Sequence, residues 1–172
     1  EDHRLMATVA NYAIHGTVLG GQNLLISGDG PGVVAKYVEE KSGAPMLFIN
    51  GAAGNLAPIY SVYPDARSGR MNMLRRLLGD KIIMASKEIL NYEDQVSFSA
   101  SEMDFLTPMK EGLKWPEALN EYIVDEKETA KIIKVPVRFL NINDKIGIWA
   151  SPLELFCEIS NEVRERSPFP YT

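Results

Sequence analysis

Four groups in this sequence have residue types and spacings that could do chemistry. His15 stands where an apolar run stops and a glycine-punctuated loop begins, in Asn11-Tyr12-Ala13-Ile14-His15-Gly16-Thr17. An imidazole placed there can ligate a metal or move a proton, or simply be satisfied by nearby backbone. Asp29 lies in Ser27-Gly28-Asp29-Gly30-Pro31, a polar turn before a helix that Pro31 opens at its first position. Its carboxylate can orient His15 or line a pocket, or it can cap that helix together with Ser27. The third group runs from Asn50 through Gly51, Gly54 and Asn55 to Ala57 and Pro58. Two glycines and small alanines let backbone N–H groups converge on an oxyanion or carbonyl oxygen, although an ordinary strand-to-loop connection reads the same way. The fourth is Glu154 in Ser151-Pro152-Leu153-Glu154, a capping box with Ser at N-cap, Pro at N1 and Glu at N3.

All four groups fall in three motifs that also carry a resemblance. Asn11 to Thr17, followed by Ser27-Gly28-Asp29, resembles the signature of the neutral/alkaline non-lysosomal ceramidase family. Asn50 to Pro58 resembles its glycine loop, and Ala150-Ser151-Pro152-Leu153-Glu154-Leu155 resembles its Pro-x-Glu turn. The three occur in the family's order and span nearly the whole chain, covering the middle of the family's catalytic domain. The resemblance implies a zinc-dependent hydrolase of N-acyl linkages such as those of sphingolipids, with a lipid or small-molecule amide as substrate and a secreted, periplasmic or cell-surface setting. It makes His15 and Glu154 zinc ligands, and Asp29, Asn50, Gly51, Gly54 and Asn55 part of the substrate pocket. A carboxylate at a helix N-terminus is favoured in its ionised form, which suits a ligand. The family's loop ends in a catalytic Ser followed by Pro, where this chain has Ala57-Pro58. Alanine has no hydroxyl to attack or to be polarised, so a second reading stays open: a binding or structural module that kept the scaffold and lost turnover. A catalytic zinc takes about three protein ligands and an open position. The family draws its other His from upstream and a Tyr from downstream, so the site is expected to be incomplete in these 172 residues.

The elements that must position these groups follow from periodicity. Leu5 to Ile14 reads as a strand buried on both faces, and Met46 to Ile49 as a short buried strand. Between them Pro31 to Lys41 has apolar residues at helical spacing, closed by Ser42-Gly43. Ser61 to Ser68 is polar and holds Pro64, which predicts a loop. The longest helix is expected from Gly69 to Leu90, with Met71, Leu74, Leu78, Ile82, Ala85 and Ile89 on one face. Met71, Met73 and Met84 belong to a core rather than a cofactor box. Gln95 to Phe105 alternates like a strand with a bulge near Ser101-Glu102. Pro108 to Thr129 is a surface excursion anchored by Trp115-Pro116, with one short helical turn. Ile132 to Ile142 and Ile146 to Trp149 form a hairpin about Asn141 to Asp144. A last helix runs from Leu153 to about Arg166, with Leu155, Phe156, Ile159 and Val163 inward. The order predicts an α/β fold, a mixed β-sheet with flanking helices in one layer; the resemblance makes it part of a single ceramidase-like catalytic domain truncated at both ends.

Bulk properties narrow the partners. The 172 residues carry a net charge of −5 with no basic stripe, which argues against nucleic acid. No run approaches the roughly 20 apolar residues of a membrane span. The single Cys157 rules out an internal disulfide, and His3, near the chain start, matches no motif.

Overall fold

A computed structural model describes residues 4–58, 69–126 and 131–172. The expected loop from Ser61 to Ser68, His3 and the end of the 108–129 excursion lie outside these described residues. The fold is α/β and uses both parallel and antiparallel strand pairing, in two separate sheets rather than one layer. The chain divides into two compact units, Glu1–Glu93 with Leu155–Glu162, and Asp94–Glu154 with Val163–Thr172.

The first unit begins with a βαβ arrangement. Strand β1 (Thr8–Tyr12) lies parallel to β2 (Met46–Asn50), Thr8 opposite Met46 and Tyr12 opposite Asn50. Parallel neighbours need a long crossover, and helix α1 (Asp29–Ser42) supplies it. Gly43 closes α1 at φ 73°, donating its N–H to the Glu39 carbonyl at 2.9 Å. The helix begins two residues before Pro31, because the Gly32 N–H already bonds the Gly28 carbonyl. β1 is half the expected length, and Val9 and Tyr12 are exposed rather than buried on both faces. One neighbouring strand covers only one of its edges.

Helix α2 (Gly69–Glu88) packs on α1, and of its predicted face Met71, Leu74, Leu78 and Ile82 reach the core, while Ala85 is exposed and Ile89 lies beyond the helix, exposed. Leu74 joins Ile14, Val18 and Val34 in the buried core, with Met71, Leu78 and Ile82 packed against it; Met73 and Met84 are exposed. Gly79 costs helix propensity but has a packing reason. A Cβ there would sit 2.5 Å from the Tyr37 ring, whose hydroxyl donates to Asp80 at 2.7 Å.

The second unit is antiparallel. β3 (Phe98–Pro108) pairs along its whole length with β5 (Lys131–Ile142), Phe98 opposite Ile142 and Pro108 opposite Ile132. The register is unbroken, so the bulge expected near Ser101-Glu102 is absent. The irregularity lies instead between Ile123 and Asp125 of β4 (Ile123–Glu126), a strand the polar excursion concealed. A 3-10 turn, Glu117–Tyr122, precedes it. Trp115 is the anchor expected of it, packed with Met109, Ile123 and Trp149 against buried Ile133, Val135 and Val137. The opposite face is ionic, with Arg138 bonding Glu102 at 2.9 Å and Lys134 lying 3.6 Å from Asp104. β5 turns into β6 (Ile146–Ala150) through Asn143 and Asp144, at φ 55° and 54°. The connection is three residues long, with the Lys145 N–H closing the turn on the Ile142 carbonyl at 3.0 Å, and its two left-handed residues suit the right-handed twist of hairpin strands. Tyr171 then bonds Gly147 and Lys145, covering the outer edge of β6.

Candidate functional site

Asp29 shows how the loop after His15 is held. It is the one described polar or charged residue buried to 7% exposure, and its backbone sits at φ 47°. Its carboxylate accepts the N–H groups of Val18 and Leu19, both at 2.9 Å, and of Gly30 at 2.6 Å. Ser27 Oγ accepts the Asp29 N–H at 3.0 Å. Left-handed backbone is tolerable for Asp at a modest cost, and three hydrogen bonds to an anion offset it. The N-cap of α1 is Gly28 and has no side-chain cap, so Ser27 and Asp29 instead take the N–H groups of Asp29 and Gly30 in its first turn, and Asp29 also staples the 16–19 loop to that helix.

His15 follows the buried Ile14 and is itself half-buried. Its backbone N–H donates to the Leu56 carbonyl at 3.2 Å, while the Ile14 N–H donates to Asn50 Oδ1 at 3.1 Å. The strand end that presents the imidazole is therefore fixed by the 50–58 loop. No hydrogen bond of the ring is formed among the described residues, which leaves both nitrogens open to a ligand.

The same loop is held by its own backbone donors. Gly51 N–H reaches the Tyr12 carbonyl at 3.1 Å, Gly54 N–H the Leu155 carbonyl at 2.8 Å, and Leu56 N–H the Ala53 carbonyl at 2.9 Å. These three groups maintain the fold, so any oxyanion contact falls to other N–H groups of the loop. Gly51 is required by close approach, since a Cβ would lie 3.1 Å from that of Ala13. Asn55 ties the loop to α3 (Cys157–Arg166). Its Oδ1 accepts the Cys157 N–H at 2.9 Å and its Nδ2 donates to Glu158 at 2.8 Å. Asn55 thereby does across 102 residues what an N-cap side chain does locally. Glu158 is held below the usual carboxylate range by its own backbone N–H, then by Asn55 and the Cys157 thiol.

Glu154 is exposed and precedes the helix instead of starting it. A helix opening at Pro152 would have the Leu155 carbonyl accept the Ile159 N–H. That carbonyl instead accepts from Gly54, and the Ile159 N–H turns to Phe156 at 3.1 Å. The capping box of Ser151 and Glu154 is therefore not formed, and Phe156, Ile159 and Val163 are exposed rather than inward. Glu154 is freed from a capping duty, and the residue after it is bonded to the 50–58 loop.

Beside that loop lies an apolar cavity of ≈1020 Å³. Ala10, Tyr12 and Ile14, Leu78, Ile82 and Ala85 of α2, and Leu56, Ala57 and Pro58 of the loop all line it. Its size is at the upper limit of the ~300–1,000 Å³ common for ligand sites. Lys81 is a cation on its wall. The sequence did not reveal the cavity, yet one signal was present: α2 has more apolar residues, Leu77 among them, than a single packed stripe needs.

Among the described residues no three His, Cys, Asp or Glu side chains gather closely enough to hold a metal ion. Also among the described residues, no helix is long and apolar enough to cross a membrane. No protein-family model matches the chain, and no curated protein and no solved structure matches it.

Proposed function

We propose that the protein is a ceramidase-like amide hydrolase acting on an N-acyl lipid, whose acyl chain enters the apolar cavity of the first unit. The observation that carries this reading is the position of that cavity. Leu56, Ala57 and Pro58 are part of its lining, in the loop whose counterpart in the resembled family bears the catalytic serine. An apolar chain would gain by leaving water there, and its amide would rest beside the loop. His15 and Glu154 are the residues of this chain that would hold zinc, with ligands from outside the described residues completing the set. When bound, zinc supplies a Lewis acid that polarises the scissile carbonyl and acidifies water. His15 is suited to the part because its ring makes no competing hydrogen bond among the described residues and its backbone is pinned to Leu56.

A second reading, a lipid-binding module without turnover, is favoured by one observation. Ala57 is exposed, lines the cavity and offers only a methyl group. Fatty-acid release from a short-chain N-acyl sphingosine, with zinc present, separates the two. A group acting only in the transition state affects turnover far more than binding. The hydrolase reading therefore expects slow release by the natural sequence, raised at least tenfold by Ala57→Ser. No release by either form supports the binding module.

A further inference from the structure

We infer that Leu24, Leu25 and Ile26 form a membrane-surface anchor that inserts into a zwitterionic bilayer. The three are consecutive and exposed to 93%, 81% and 107%, more than any other run of large apolar side chains described. Their exposure is built into the loop. At its base, Asp29 holds the N–H groups of Val18 and Leu19, and the Gly20 N–H closes a turn on the Thr17 carbonyl. At its tip, the Asn23 side chain brackets Leu25, accepting its N–H at 3.4 Å and donating to its carbonyl at 3.0 Å. An apolar tip fixed in water at both ends is arranged for a medium other than water.

The geometry decides which medium. Consecutive side chains leave a backbone in different directions, and the chain bends at Leu25, so a flat or grooved protein surface could cover only part of the three. A fluid hydrocarbon layer can surround all of them. Between His15 and Gly32 the only charged residue is Asp29, which is buried at the base of the loop with its carboxylate on the N–H groups of Val18 and Leu19. Nothing charged would therefore have to enter with the loop. The overall charge of −5 gives no attraction to anionic lipid, which selects a zwitterionic surface and an insertion driven by apolar burial. The inference does not depend on the hydrolase reading, because it concerns where the protein sits and not what it cleaves.

The full chain would be sedimented with phosphatidylcholine vesicles, natural sequence against the combined Leu24→Ser, Leu25→Ser and Ile26→Ser variant. These side chains are fully exposed, so the variant is expected to keep its circular dichroism. A partition coefficient at least tenfold lower for the variant is expected. In a Leu25→Trp variant, the indole emission should shift to the blue on adding vesicles and be quenched by brominated acyl chains. The inference is overturned if the natural chain does not partition, or if the triple variant partitions equally. Partition only onto phosphatidylserine-containing vesicles would also overturn it. So would self-association that the triple variant abolishes without any vesicle binding, because the tip would then be a protein contact.

Discussion

Replacing Asp29 with Ala removes at one stroke the acceptor for the N–H groups of Val18, Leu19 and Gly30. Leaving buried donors unpaired costs about 1–3 kcal/mol each, and Ala tolerates a left-handed backbone worse than Asp. Asp29→Ala is expected to lose about 2–5 kcal/mol of unfolding free energy, and Asp29→Asn clearly less. Urea unfolding of both checks this; a loss from the alanine variant no larger than from the asparagine one would contradict it. Gly79→Ala tests the helix contact in the same way. Helix propensity alone predicts a gain of about 1 kcal/mol, but the added methyl meets the Tyr37 ring at 2.5 Å. A net loss of about 1–3 kcal/mol is expected from overpacking, and a measured gain would show that the ring moves aside at no cost. Both roles were hidden in the sequence, where Asp29 could equally have faced a pocket and Gly79 was only a weak point in a helix.

At the scale of elements, helices and hairpins with strong local signals were legible, and elements decided by distant contacts were not. α2 and the Asn143-Asp144 hairpin announce themselves by periodicity and by turn chemistry. Asn143 adds a tertiary duty, accepting the Ser97 N–H at 2.7 Å and donating to the Gln95 carbonyl at 3.0 Å. β4 was missed because four residues in a polar stretch leave no period to read. The start of α3 was misplaced because Gly54 and Asn55, about a hundred residues away, claim the Leu155 carbonyl and the Cys157 N–H. Asn55→Ala is expected to cost about 1 kcal/mol, as loss of a cap does. The Glu158 carboxylate is depressed in the fold, so its contribution is complete above the unfolded carboxylate value of about 4.3 and fades as pH falls through the lower folded value. Thermal melting should therefore show the Asn55→Ala penalty shrinking below about pH 4. A penalty that grows in acid would reverse the assignment.

For the whole molecule, the motifs around His15, Asn50 to Pro58 and Glu154 carry a resemblance that implies either a lipid-amide hydrolase or a binding module on the same scaffold, while the cavity emerged only from packing. Single-residue patterns show what a side chain can do; a void between β1 and α2 depends on what both leave uncovered. Loss of the His15 ring should weaken zinc binding by the protein carrying this chain, measured by elemental analysis after dialysis. Zinc retained at full stoichiometry by His15→Ala would remove His15 from the ligand set. The central claim, that the cavity beside Ala57 is a lipid-amide site, is tested most directly by binding. A fluorescent short-chain N-acyl sphingosine would be titrated into the full chain and into Ala85→Trp, whose indole fills the α2 side of the cavity. Saturable one-to-one binding, weakened at least tenfold by Ala85→Trp, is the predicted result. Binding that does not saturate, or that Ala85→Trp leaves unchanged, would contradict it.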